Sequence, residues 1–137
     1  MPKVRVTRRL HFAAAHRLCN AAFDDAQNRA VFGACSNPNG HGHNYQLEVT
    51  VEGEVDPKTG FVLDVKRLRD LVSDLVIQDL DHANLNVDVG WLDGVNPTAE
   101  NVAVRIWHRI DGHLEGARLV SVRLWETERN LVEYRGE

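Results

Sequence analysis

The sequence predicts an α+β fold in which helices lie on one face of an antiparallel sheet. Two segments near each end of the chain alternate apolar and polar residues with the period of two that is typical of a strand. Between them lie two segments whose apolar residues recur at the 3.6 period of an amphipathic helix. This β-β-α-α-β-β order predicts a four-stranded antiparallel sheet with two helices on one face. At 137 residues we expect a single domain spanning residues 1–137.

The two predicted N-terminal strands are separated by a long irregular segment. The first strand covers residues 4–14, and His16 shares its apolar parity if the strand extends that far. The second strand covers residues 43–52, where Tyr45 begins an equally regular alternation. Residues 17–40 show no sustained period and contain turn-forming residues, so we expect a long loop there, either functional or disordered. The polar second face of both strands predicts contact with water or a polar channel.

The first predicted helix follows a turn at residues 56–60, whose Asp-Pro-Lys-Thr-Gly composition is typical of turns. Asp64 can cap this helix, which we expect to end near Leu80. Its apolar positions form one face and are Val65, Leu68, Leu71, Val72, Leu75 and Val76. Two further strands, at residues 118–126 and 130–135, are predicted to end the chain.

The second predicted helix begins in the sequence Pro-Thr-Ala-Glu-Asn at residues 97–101. Thr98 can act as its N-cap, and Glu100 lies in the first turn, where the helix dipole favours an anion. Its predicted buried face consists of Val102, Ala103, Ile106, Trp107, Ile110 and Leu114.

The composition excludes several classes of protein. The chain is 43% hydrophobic and 26% charged, which is ordinary for a soluble globular protein. Its formal net charge of −4 and the lack of a basic stripe argue against nucleic-acid binding. No apolar run approaches the ~20 residues of a membrane span, and the start lacks the apolar core of a secretory signal. Because two cysteines are too few for a disulfide framework, we expect a reduced, cytoplasmic setting without membrane contact.

The strongest functional signal is the sequence His-Gly-His at residues 41–43. Residues two apart in a strand point to the same face, so His41 and His43 can direct their rings at one point. If the first two strands pair antiparallel, the end of the first lies beside the start of the second and brings His16 to the same place. Three imidazoles with an open position are a recurring zinc arrangement, although mixed ligation would also suit iron or manganese. We therefore predict a metal site at His16, His41 and His43.

Three further positions admit two readings each. Cys35 is either a small buried hydrophobic residue or a thiolate base or nucleophile, whereas Cys19 is assigned no role. Asp81 and His82 form either a carboxylate–imidazole pair of the catalytic-triad type or a turn in which the aspartate bonds its own backbone. Glu126, at a strand end, is either solvated or accepts two parallel N–H bonds from a planar amidine-like group, such as the edge of a pterin or guanine ring. The residue pattern alone does not choose between these readings.

Taken together, five colinear motifs resemble the 6-pyruvoyltetrahydropterin synthase and 6-carboxytetrahydropterin synthase family over nearly the whole chain. The motifs are His-Phe-Ala-Ala-Ala-His-Arg-Leu at 11–18, Cys-Ser-Asn-Pro-Asn-Gly-His-Gly-His-Asn-Tyr at 35–45, Leu-Asp-His-Ala-Asn-Leu-Asn at 80–86, Pro-Thr-Ala-Glu-Asn at 97–101 and Trp-Glu-Thr at 125–127. The resemblance implies the tunnelling fold (T-fold), with trimers whose sheets join into a barrel and stack as a homohexamer, a dimer of trimers. It also implies a carbon–oxygen lyase that converts 7,8-dihydroneopterin triphosphate to 6-pyruvoyltetrahydropterin with loss of triphosphate, as in tetrahydrobiopterin biosynthesis.

The resemblance also implies a role for each matching residue. His16, His41 and His43 match the ligands of Zn2+, with Mg2+ as a candidate companion of the substrate triphosphate. Cys35 matches the general base, and Asp81 and His82 match a catalytic pair that serves the cysteine of a neighbouring subunit. Glu126 matches the pterin anchor of the catalytic site, and Thr98 and Glu100 match residues that line the pterin pocket. Ala99 departs from the second threonine that the animal enzymes tend to have, so one hydrogen bond to the pterin is expected to be missing.

Other functions stay open at the level of sequence. The 6-carboxy-5,6,7,8-tetrahydropterin synthases of queuosine biosynthesis share the substrate but release acetaldehyde, and usually have three residues between the cysteine and His-Gly-His. This chain has five, at residues 36–40, as the pyruvoyl enzymes do. A non-enzymatic zinc module and a zinc hydrolase with Glu126 or Glu100 as base are further alternatives. Arg9 and Arg17 flank the metal-binding strand and are candidate triphosphate ligands.

Overall fold

The computed structural model describes residues 2–137, which form one sheet with helices on one of its faces. The strands are β1 Lys3–His16, β2 His41–Glu54, β3 Ala83–Asn84, β4 Arg118–Trp125 and β5 Leu131–Tyr134. They lie in the order β3-β1-β2-β4-β5, so the two longest strands are neighbours near the middle of the sheet. None of the described helices is long and apolar enough to span a membrane.

The pair β1–β2 positions the candidate site. The two strands run antiparallel from Lys3 opposite Glu54 to His16 opposite His41, without a break in register. Tyr45 and the three alternate apolar residues after it on β2 are fully buried, which fixes the register because a slip of one residue would turn them to the polar face. The metal-site histidines lie on the same face as these buried residues, at the end of the pair.

The helices are α1 Asp25–Phe32, α2 Val65–Val72, α3 Gln78–Leu80 and α4 Ala99–Ile110. A π turn, Ser73–Ile77, joins α2 to α3 into one helical segment that ends at the predicted Leu80. Both predicted N-caps are confirmed: Asp64 accepts a hydrogen bond from the amide of Lys66, and Thr98 accepts one from the amide of Asn101. The core lies between the sheet and the apolar faces of α2 and α4.

The α+β prediction is confirmed, but the four-stranded antiparallel sheet was one strand short. The two residues of β3 add to the edge of β1 in parallel, opposite Ala14 and Ala15, so the sheet has five strands and is mixed. A strand of two residues has no hydrophobic period and exists because Leu80 and Leu85 on either side of it are buried. The predicted long loop contains a helix, α1, whose residues are mostly exposed and therefore show no apolar stripe.

The end of α4 also differs from the prediction. The helix ends at Ile110, and Asp111 and Gly112 turn the chain, with Gly112 at φ +87°. Leu114 is therefore not on the helix face, although it still packs against the core from the following loop.

The second face of the sheet is polar, as predicted, and is crossed by ion pairs. Glu52 on β2 accepts hydrogen bonds from Arg5 on β1 at 3.0 Å and from Arg118 on β4 at 2.9 Å. The hydrogen bonds from these two arginines hold the pKa of Glu52 below its usual range, and the bond from Arg5 has the larger effect. Glu48 is bridged in the same way by one arginine from each neighbouring strand. Each carboxylate thus ties three strands together.

Candidate metal centre and active site

Three histidines converge at the end of the β1–β2 pair. The ring nitrogens of His16, His41 and His43 that could bind a metal all lie within 4.8 Å of one another. The Nε2 atoms of His16 and His41 are 3.0 Å apart. Two tetrahedral ligands with zinc–nitrogen bonds of ~2.0–2.1 Å would be separated by about 3.3 Å, so the rings need little movement to share one ion. The three residues predicted from the sequence are therefore positioned to bind a metal.

The electrostatic state of the rings also fits a metal. Burial lowers the pKa of both His16 and His43 below the usual value, which favours the neutral imidazole that binds metals. The Nε2 atom of His43 is buried and has no hydrogen-bond partner among the described residues. A buried polar atom without a partner is costly, and a metal ion at the centre of the three rings would satisfy it.

His16 is held from behind by groups that the sequence did not single out. Its side chain is 1% exposed, and its Nδ1 donates to the carbonyl oxygen of Pro97 at 2.7 Å, which leaves Nε2 with its lone pair towards the centre. Tyr45 lies beneath the rings, and its hydroxyl is 3.4 Å from Nδ1 of His16. Burial raises the pKa of the Tyr45 hydroxyl. Outer contacts of this kind fix the tautomer and orientation of a metal-binding histidine. Both residues lie in motifs noted in the sequence, Tyr45 at the end of residues 35–45 and Pro97 at the start of residues 97–101, but neither had been assigned a role at the metal site.

Glu126 lies beside the three rings. Its carboxylate oxygens are 3.7 Å from Nε2 of His43 and 4.0 Å from Nε2 of His16. It is not among the residues whose ligand atoms all converge within 4.8 Å, so the carboxylate lies beside the group of three histidines. It is half-buried and borders the centre, where it could accept hydrogen bonds from a planar group bound next to the metal.

The side chains of Asp81 and His82 contact each other although the two residues are neighbours in sequence. His82 adopts a left-handed backbone conformation at φ +62°, and its Nδ1 lies 3.1 Å from a carboxylate oxygen of Asp81. The amide of Ala13 donates to the other carboxylate oxygen at 2.9 Å, and this bond, more than the imidazole, lowers the pKa of Asp81. The His82 ring is 85% exposed, so the pair presents an imidazole at the surface.

A cleft of about 550 Å³ lies on the polar face of the β1–β2 pair, where His82, Asn84 and Asp88 border it. Its floor consists of Ala13, Ala15 and Gly42. Because successive side chains of a strand point to opposite faces, the rings of His41 and His43 lie on the other face of the sheet from this floor. The cleft is wide open to solvent and large enough for a bicyclic ring.

Cys35 lies in a short 3₁₀ turn, Gly33–Ser36, that follows α1. Its thiol is free and half-buried, and its carbonyl oxygen accepts a hydrogen bond from the amide of Leu18 at 2.8 Å. Leu18 is only two residues past His16, so the turn that carries the thiol is attached to the strand that carries a metal ligand. Cys19 is also free and half-buried, and its amide donates to the side chain of Asn96.

The remaining predicted residues lie at the start of α4, on the polar face of β1 and directly after the end of β1. The half-buried Thr98 caps the helix and directly follows the buried Pro97, whose carbonyl oxygen holds His16. Glu100 is exposed in the first turn of the helix. Arg9 is bound to Glu48 at 2.7 Å on the polar face of the sheet, away from the histidines. Arg17 lies beside the site, with its Nε bonded to the carbonyl oxygen of Ser36.

Comparison with known proteins shows which family shares this arrangement. The family model described as 6-pyruvoyl tetrahydropterin synthase matches residues 5–137. The chain belongs to this family. The 6-pyruvoyl tetrahydrobiopterin synthase of Pongo abelii is 46% identical over 98% of this chain and 93% of its own length, and that of Homo sapiens is 44% identical over the same shares. The structure of the Caenorhabditis elegans 6-pyruvoyl tetrahydropterin synthase matches with a TM-score of 0.94 at 40% identity, covering 100% of this chain and 98% of that one.

Membership of the synthase family confirms three predictions made from the sequence. The resemblance itself was correct, and so was the tunnelling fold, apart from the additional strand β3. The chain is an enzyme, a lyase of the 6-pyruvoyltetrahydropterin synthase type. Its three histidines agree with a metal site in such a synthase.

Proposed function

We propose that this chain is a zinc-dependent 6-pyruvoyltetrahydropterin synthase that converts 7,8-dihydroneopterin triphosphate to 6-pyruvoyltetrahydropterin with loss of triphosphate. The observation that carries the proposal is the convergence of His16, His41 and His43 on one point, with a buried nitrogen of His43 that lacks a partner. In a chain of this family, a metal site with an open position suits a substrate whose side chain is activated by a metal.

His16, His41 and His43 would hold the zinc ion, which supplies Lewis-acid polarisation of the oxygens on the pterin side chain. Three nitrogen ligands leave a fourth position for those oxygens. The neutral state of His16 and His43 and the bond from His16 to Pro97 keep the ligand nitrogens available. The Zn2+ assignment follows from three imidazole ligands, and Mg2+ would accompany the triphosphate of the substrate.

The proposed catalytic and pterin-binding residues come from three further segments of the chain. Cys35 would remove the protons from the side-chain carbons, as a general base must lie within reach of the proton that it takes. Glu126, which borders the metal position, would accept the two parallel N–H bonds of the pterin's amidine-like edge. Thr98 and Glu100 would line the pterin pocket from the start of α4.

Asp81 and His82 would serve the cysteine of a neighbouring subunit in a homohexamer, a dimer of trimers. Their exposed position supports this assignment, because an imidazole that is 85% exposed in one chain is accessible to a second copy. The two free cysteines agree with a reduced, cytoplasmic enzyme.

The pyruvoyl product is favoured over the carboxy product by the length of the cysteine loop. Five residues separate Cys35 from His41, whereas the 6-carboxytetrahydropterin synthases of queuosine biosynthesis usually have three.

The decisive experiment is incubation of the purified protein with 7,8-dihydroneopterin triphosphate and Mg2+. We expect 6-pyruvoyltetrahydropterin and free triphosphate, identified by chromatography and mass spectrometry under anaerobic conditions. Release of acetaldehyde with a 6-carboxy product would identify the protein as a 6-carboxytetrahydropterin synthase. Simple cleavage of the pterin side chain would identify a third kind of enzyme. An inactive protein that still binds zinc would be a structural metal module.

The metal assignment is tested separately, by elemental analysis of protein purified without added metal. We expect about one zinc per chain, as three converging ligands require. His41→Ala should lose metal and activity together, while His108→Ala, on the exposed face of α4, should lose neither. Full metal content in His41→Ala would place the ion elsewhere.

A further inference from the structure

Three segments of the chain are tied together directly beside the metal centre. They are the end of β1 at residues 16–18, the turn that carries Cys35, and the turn after β3 at residues 84–88. The ties run through two side chains, those of Arg17 and Asn86, and we refer to this group of contacts as the Arg17–Asn86 clasp.

Asn86 forms two hydrogen bonds to the backbone of Arg17. The amide of Arg17 donates to Oδ1 of Asn86 at 2.7 Å, and Nδ2 of Asn86 donates to the carbonyl oxygen of Arg17 at 2.8 Å. The side-chain amide thus replaces a peptide group of a neighbouring strand and continues the pairing of β1 past its last residue, His16. Only a carboxamide can accept and donate in this way, because a carboxylate lacks the N–H donor.

The turn that carries Asn86 is itself rigidly built. The amide of Asn86 donates to Oδ1 of Asn84, and the amide of Asn84 donates to the carboxylate of Asp88. The amide of Leu85 donates to the carbonyl oxygen of Ala15 at 2.8 Å, so the turn is attached to β1 at two successive points. Asn86 therefore holds Arg17 from a fixed support.

Arg17 in turn holds the turn that carries the cysteine. Its Nε donates to the carbonyl oxygen of Ser36 at 2.8 Å, and the amide of Leu18 donates to the carbonyl oxygen of Cys35 at the same distance. Ser36 is buried, and its hydroxyl donates to the carbonyl oxygen of Gly33 across the turn. Two consecutive residues after His16 thus bond to two consecutive residues of the turn.

We propose that Arg17 and Asn86 are positioning residues that hold the Cys35 turn at a fixed distance from the metal-binding end of β1. The proposal rests on the proposed function for its catalytic consequence, because it matters only if Cys35 is the base. Arg17 then acts through the backbone of the cysteine turn and is not primarily a ligand of the triphosphate.

The first test measures structure alone. Amide hydrogen exchange should be about 5- to 10-fold faster at Arg17 and Leu18 in Asn86→Asp, the effect of one lost hydrogen bond at a local opening. Asn86→Asp keeps the acceptor and the size of the side chain but loses the donor. Amides of β2 and β4 should exchange as before, and an unchanged rate at Arg17 and Leu18 would overturn the proposal.

The second test measures turnover. In Arg17→Ala and Asn86→Asp we expect kcat to fall about 10- to 100-fold, the scale of a misplaced catalytic group, with KM changed less than about threefold and metal content unchanged. Arg17→Lys, which can still donate to Ser36, should recover part of the loss. Arg69→Ala, on the exposed side of α2, is the matched control and should behave as wild type. Unchanged kcat, or a raised KM at unchanged kcat, would contradict the positioning role.

A third readout separates this proposal from the proposed function. Labelling of Cys35 by iodoacetamide, mapped by peptide mass, should be several-fold faster in Arg17→Ala and return towards the wild-type rate in Arg17→Lys. Cys19, whose amide bonds to Asn96 outside the clasp, provides the reference in the same sample. If the wild type proves inactive on the pterin, this pattern still supports the clasp, and equal labelling in all variants overturns it.

Discussion

At the scale of single residues, the centre depends on imidazoles that stay neutral. Burial lowers the pKa of His16 and His43, and the carbonyl oxygen of Pro97 accepts a hydrogen bond from the Nδ1–H of His16. The Nε2 atoms are then free to bind an ion. Glu126, at 3.7 Å from His43, adds negative charge at the border of the site without entering the ligand group.

Cys35→Ala should keep the metal and the pterin but lose most turnover. Loss of a general base typically costs ~10²–10⁴-fold in rate, and the half-buried thiol is not among the three converging ligands. The measurement is kcat together with zinc content and pterin binding. Cys19→Ala is the matched control, and a rate near wild type in Cys35→Ala would remove the cysteine from the mechanism.

Glu126→Gln should weaken pterin binding about 10- to 100-fold, because a charge-assisted hydrogen-bond pair is replaced by a neutral one. Quenching of 7,8-dihydroneopterin fluorescence measures the affinity without turnover. Glu128→Gln, an exposed glutamate two positions further on, should bind as wild type does. If Glu126→Gln keeps its affinity, the pterin is anchored by another group.

At the scale of elements, the β1–β2 pair determines the site. Its register places His16 opposite His41 and Ala14 opposite His43, so three rings meet at one end of two strands. The buried residues of β2 fix that register from one face, and the arginine–glutamate bridges fix it from the other. A change in either face therefore acts on the metal centre through the pairing of the strands.

The bridge at Glu52 predicts a dependence of stability on pH. Its folded-state pKa lies below the unfolded value, so its contribution is present above about pH 4.3 and is lost as the pH falls through the folded-state pKa. The wild type should be more stable than Glu52→Gln near neutral pH, and this difference should vanish under acid conditions. Urea unfolding between about pH 3 and 7 measures it. Glu54→Gln, exposed at the end of the same strand, should show a weaker pH dependence relative to wild type.

At the scale of the whole molecule, the sheet ends in edges that a second copy could cover. Over the described residues, β3 pairs with only Ala14 and Ala15 of β1, and β5 forms the opposite edge of the sheet. Exposed edges favour association with another strand. The polar face, with its bridged carboxylates, would then line the inside of the proposed trimer.

Mixed oligomers test whether a site is shared between subunits. Cys35→Ala and His82→Ala should each be inactive, but when refolded together at equal amounts they should regain up to about a quarter of wild-type activity, since a head-to-tail interface pairs intact residues by chance. Activity of the mixture measures this directly. If Asp81 and His82 serve the cysteine of their own chain, no mixture can contain a complete site and none will be active.

The sequence by itself determined the fold class, the helix caps at Asp64 and Thr98, and the three histidines, because periodicity and capping are local properties of the chain. Tertiary structure decided the rest. The strand β3 is two residues long and α1 lacks an apolar stripe, so neither leaves a periodic signal. The contacts of His16 with Pro97, of Asp81 with Ala13, and of Asn86 with Arg17 join residues 81, 68 and 69 positions apart. Such hydrogen bonds depend on where folding brings a backbone carbonyl or amide. Every residue has a backbone carbonyl and every residue except proline has an amide N–H, so the sequence does not mark these partners.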